Sequence, residues 1–144
     1  MPNLHLTAEP LIIDRLKVTM PTLRGVFGMA DLASVQLSQQ INPAAFVVYD
    51  GDVVGVAAGQ GAVQMVSERW LVVVSVMNVR DIRGGTSARV EAGVLIGEVI
   101  AALAGWQPSP AHRPMTRIAA PKPIFNAGFL SIPLAFDVKF ISGV

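Results

Sequence analysis

The stretch Trp70-Leu-Val-Val-Val-Ser-Val-Met-Asn-Val79 decides the fold. It is dense in β-branched side chains, and both of its alternating faces are apolar. Trp70, Val72, Val74 and Val76 point one way, and Leu71, Val73, Met77 and Val79 the other. A strand that is apolar on both sides must be covered on both sides, which predicts a central strand.

Downstream, Arg80-Asp-Ile-Arg-Gly-Gly85 breaks the pattern as a polar, glycine-containing loop. Thr86 or Ser87 can then cap a helix by accepting from backbone N–H groups that have no intrahelical partner. That helix is expected over about residues 87–104, ending where Gly105 can take the C′ position and Pro108 bars continuation. Its two apolar faces differ in texture. Ala92, Leu95, Ile96, Val99, Ile100 and Leu103 form a bulky face suited to a sheet. Val90, Gly93, Val94, Gly97 and Ala101 form a small one that lets a second backbone approach, with Glu91 and Glu98 as a narrow polar strip. The helix is expected to be nearly enclosed, and its second neighbour could come from the same chain or another.

Upstream of the central strand, Thr7 can cap a first helix reaching Met20, with Pro10 in its opening turn and Ile12, Ile13, Leu16 and Met20 on one face. Arg24 to Gly28 reads as a short extended link, and Met29 to Gln36 as a short second helix. Ala45 to Tyr49 is a strand, Asp50-Gly51 a hairpin-turn signal, and Val53 to Ala58 a second strand. Gly59-Gln-Gly61 and Ala62 to Ser67 lead into the central strand. Beyond the long helix lie a proline-rich loop, a short strand over Met115 to Ala119, and turns at Pro121-Lys-Pro123 and Asn126-Ala-Gly128. The terminal segment Phe129 to Ile141 alternates cleanly, with Ile132, Leu134, Phe136, Val138 and Phe140 inward. Pro133 cannot donate to a ladder, so an edge or bulge is expected there. This order of elements predicts one α+β domain over residues 1–144, with a largely antiparallel sheet packed by helices.

Hydrophobic residues make up 52% of the 144-residue chain and charged residues 15%, against about 25% charged in an average globular protein. That is little charge to clothe a monomer, and it points to burial between subunits. The deficit is sharpest in the hairpin from Val53 to Ser67, where no residue is charged and Val53, Val54, Val56, Val63, Met65 and Val66 are apolar. Exposed strand edges are normally blunted by Lys, Pro or inward charge. The hairpin is therefore expected to be a subunit-contact arm, unless the chain covers it with its own terminal strand. The loop charges Arg80, Asp81 and Arg83 are expected at the rim of such a contact, where they govern association rate and salt sensitivity.

The net charge of +1 and scattered basic residues leave no nucleic-acid footprint. The absence of cysteine excludes a disulfide framework, thiol chemistry and Cys-based zinc sites. The N-terminus lacks the basic and apolar regions of a signal peptide, and the long helix is too short and too charged to span a bilayer. A soluble protein made in a cytoplasm is expected. The loop before the long helix could cradle an anion, but its spacing is not that of a P-loop, and a capped connection is the preferred reading. His5 and His112 are the only histidines, form no metal-ligand pair, and are expected at the surface. Glu91 and Glu98 read as a solvated strip, and Trp106 as a packing anchor. No metal, cofactor or enzymatic activity is predicted.

The strand Trp70 to Val79, the helix ending Leu103-Ala-Gly-Trp-Gln-Pro108, and Phe129-Leu-Ser-Ile-Pro-Leu-Ala-Phe-Asp-Val-Lys-Phe140 after a proline-rich loop resemble the tail-terminator (tail-completion) proteins of long-tailed bacteriophages and prophages. The first helix, the short second helix and Val47-Val-Tyr-Asp-Gly51 fit the same order, so the likeness covers nearly the whole chain. The resemblance implies a homo-oligomeric ring, typically a hexamer, assembled in the bacterial host cytoplasm and resident in the virion tail. That ring ends the polymerisation of the tail tube protein and presents the surface for head-tail connector proteins, without a cofactor or catalytic residue. Two other readings stay open: another phage neck or tail-tube component, and a small ligand-binding domain or enzyme with an intersubunit site.

Overall fold

The computed structural model describes residues 3–28, 41–77, 86–126 and 129–143. Helix α1 (Ala8–Thr19) is followed by strands β1 (Gly25–Phe27), β2 (Ala44–Ala58) and β3 (Val63–Met77), helix α2 (Thr86–Leu103), and strands β4 (Thr116–Ile118), β5 (Ile124–Asn126) and β6 (Phe129–Ser142). One sheet runs β1-β2-β3-β6-β4, with β5 also pairing β6. Among the described residues only the β1–β2 pairing is parallel. The fold is a small α+β domain with a largely antiparallel sheet.

The central-strand expectation holds, since β3 is paired along its length between β2 and β6. Trp70, Val72, Val74 and Val76 are fully buried under the two helices, beside Phe136, Leu134 and Val138 of β6. The opposite face is different. Leu71, Val73 and Met77 are only half-buried there, while Ser75, its partner Ala44 and the Leu71 partner Ala135 are buried. The two described helices pack their buried residues on the other side. The predicted short helix over Met29 to Gln36 lies outside the described residues.

The α2 faces divide as their side chains dictate. Ala92, Leu95, Val99 and Leu103 are buried against the sheet, with Ile96 and Ile100 packed at the edge. Gly105 has φ +80°, the left-handed turn expected at C′. The helix begins at Thr86, so Thr86 and Ser87 lie inside it rather than before it. Thr7 stands at the start of α1, but its hydroxyl does not cap; it donates to Leu4 O at 2.7 Å. A Ser or Thr hydroxyl has several backbone acceptors within reach, and here the upstream turn takes it.

Asp50-Gly51 is not the hairpin turn. It is a bulge inside a continuous β2, between the pairs Tyr49↔Trp70 and Asp52↔Glu68, and Gly51 has φ +93°. The chain reverses instead at Gly59–Gly61. An Asp-Gly pair serves either purpose because both demand a positive φ. Arg69 Nε pins the bulge by pairing with Asp50 at 2.7 Å. Pro133 sits where the outer side of β6 is unpaired, between β5 (partners 129–131) and β4 (partners 135–137), so its missing N–H costs no ladder bond on that side.

Candidate functional site

The distal half of the β2–β3 hairpin projects as an arm. Its β3 leg is covered within the chain, since Gln64 through Ser67 pair with β6 residues Ser142 through Lys139. Its β2 leg is not: Val53 is 71% exposed, Val54 49% and Val56 87%. Among the described residues nothing pairs with the outer edge of β2 beyond Phe46. An uncharged, valine-rich free edge is the kind of surface that soluble monomers avoid.

The candidate contact residues separate on this geometry. Val53 is exposed, Val63 and Met65 are half-buried, and Val66 is buried in the chain's own interior. Strand parity explains Val66, which shares the inward face of β3 with Trp70. Arg80, Asp81 and Arg83 lie outside the described residues. Val53, Val56 and Met65 instead line a groove of about 600 Å³ whose other wall holds Arg113, Asp137 and Lys139. Lys139 is partly neutralised by Asp137 at 3.9 Å. Val56 falls within the hairpin that the sequence marks as an arm, whereas Arg113 is not signalled by it. The outward phase of Lys139 on β6 was legible, but nothing local marks Arg113, which the loop after α2 delivers.

A second open surface is the small face of α2. Val90 is 67% and Val94 59% exposed, and a Cβ added at Gly93 or Gly97 would meet nothing within 4 Å. Trp106 packs at the edge of the core, with the Arg15 guanidinium 5.4 Å from its ring centroid.

Two buried polar residues, Glu68 and His112, have structural partners. Glu68, on the inward face of β3, accepts from the Leu6 N–H at 3.0 Å and from Trp70 Nε1 at 3.4 Å. His112 is buried rather than at the surface, edge-on to Phe140 and with Nδ1 2.6 Å from Ser109 Oγ. His5 is exposed and sits edge-on to the same Phe140. These contacts tie the N-terminal segment to the end of the sheet. Burial lowers the His112 pKa and raises that of Glu68, against the bonds from Leu6 and Trp70 and the proximity of His5.

The Glu68 shift has a pH consequence. A carboxyl whose folded pKa is raised binds its proton more tightly in the native state, so stability falls as pH rises from its ordinary value of about 4.3 through the raised one. Thermal melts across that interval should show Glu68→Gln with a flatter pH dependence than wild type. Parallel curves would remove Glu68 from the pH response.

Among the described residues no group of three His, Cys, Asp or Glu could hold a metal ion, and no helix is long and apolar enough to cross a membrane. The geometry of the described residues offers surfaces for contact. No curated protein matches the sequence. A model of the family described as phage tail terminator protein matches residues 3–144, and the chain belongs to that family.

Proposed function

We propose that copies of this chain assemble into a closed ring, typically of six, that seats on the last layer of the tail tube. Family membership makes the chain a structural component of the phage tail. In the proposed role the ring stops addition of tail tube protein and offers its other side to the head-tail connector proteins. It does so in the virion, after assembly in the host cytoplasm, and needs no cofactor.

The observation that carries this reading is the arm: a free β-edge with Val53, Val54 and Val56 in solvent, on a chain with only 15% charged residues. Association removes that apolar surface from water, which is favourable by about 25 cal/mol per Å². A ring repeats the gain at every contact and leaves no arm uncovered. Purified protein at tens of micromolar should scatter light as a closed oligomer and show rings in negative stain. Added to polymerising tube protein, it should arrest tube lengthening. Monomers at that concentration, or tubes that lengthen unchecked, overturn the proposal.

A further inference from the structure

Resting on that ring reading, we propose that the arm groove of one copy seats the small-residue face of α2 from the next copy, with Arg113 set against Glu91 and Glu98. The two surfaces lie on opposite sides of the same sheet. Met65, Asp137 and Lys139 belong to the face opposite the two described helices, since Met65 pairs with Ile141 and Lys139 with Ser67, out of phase with buried Val66 and Trp70. Helix α2 packs on the other face, with Val90 and Val94 turned outward. A contact between them is therefore head-to-tail, the arrangement that generates rings when the rotation closes.

Shape and charge favour this occupant. Gly93 and Gly97 leave the helix surface open where a Cβ would otherwise stand, so a neighbouring strand can approach its backbone. The groove carries valine and methionine walls with Arg113 at the rim, and among the described residues that guanidinium has no carboxylate within salt-bridge distance. Glu91 and Glu98 flank the exposed stripe and likewise form no ion pair there.

The chain has no cysteine, which makes the test direct. Val56→Cys and Val94→Cys are combined in one chain, both at exposed positions, and the protein is treated with a short bis-maleimide. The expected result is a ladder of covalent multimers up to the size of the oligomer, with neither single variant cross-linking. An intact oligomer without a ladder overturns this contact and leaves the ring standing. A single variant that cross-links to itself shows a two-fold contact and also overturns it. A wild-type monomer removes the ring reading as well. Independently, Arg113→Glu should weaken association about fivefold per contact, and Glu91→Lys with Glu98→Lys should restore it. Failure of that exchange to restore association overturns the pairing of charges.

Discussion

Replacing Val53 and Val56 with aspartate should release monomers that keep the far-ultraviolet dichroism of the wild type. Both side chains stand in solvent in the isolated chain, 71% and 87% exposed, so the fold loses little packing. The cost to the chain itself is the lower strand preference of aspartate, at most about 1 kcal/mol per site. At a subunit contact the balance is different. Each valine removed from water contributes about 1.5–3 kcal/mol, and a carboxylate left there is desolvated besides. Two such losses weaken each contact by about a hundredfold to ten-thousandfold. Light scattering beside circular dichroism separates the outcomes. An oligomer of unchanged size would take the arm out of the assembly. Unfolding would mean that the arm supports the chain's own core, contrary to its exposure. Val66 is the wrong target for this purpose, because it is buried inside the chain.

The largest effect on the fold itself is expected from Trp70→Ala. Trp70 is fully buried at the centre of β3, stacks at a tilt on Tyr49 with centroids 5.3 Å apart, and reaches Glu68 through its indole N–H. Truncation leaves a cavity beneath two helices and removes a donor from a buried carboxylate. Losses of this kind cost about 3–5 kcal/mol, a large share of the roughly 5–15 kcal/mol that holds a domain together. The melting temperature should fall by about 6–20 °C. A melt within a degree or two of wild type would show that the Trp70 pocket closes on its own.

The elements legible in the sequence are those whose pattern is local. The central strand, the terminal strand and the division of α2 into bulky and small faces follow from periodicity alone, because burial on one face imposes the period. Asp50-Gly51 reads locally as a turn because a turn and a bulge ask the same of the backbone. Only pairing with Trp70 and Glu68, many residues away, separates them. The burial of His112 has no local signal because its neighbours Thr7 and Phe140 come from opposite ends of the chain. Glu68 and Val66 were within reach of the sequence: counting by twos from Trp70 places both on the inward face. The uncharged hairpin announced the arm, but its groove is built from three separated segments, and no local pattern brings Arg113 to it.

The bulges in β2 bear on more than the path of the strand. The ladder slips once between Tyr49 and Asp52 and again between Val54 and Ala57, and each slip bends and twists the strand. The first lies between the buried core and the exposed Val53 and Val54, and the second spans Val56, so they act as two joints in series along the arm. In a ring, the tilt between one copy and the next is the quantity that decides how many copies complete the circle, and hence the bore. That tilt would be encoded in a few backbone torsions around Gly51, at the root of the arm rather than in the side chains that make the contact. A lineage could then retune the diameter of its ring by moving a joint, while leaving both the core and the adhesive surface as they are.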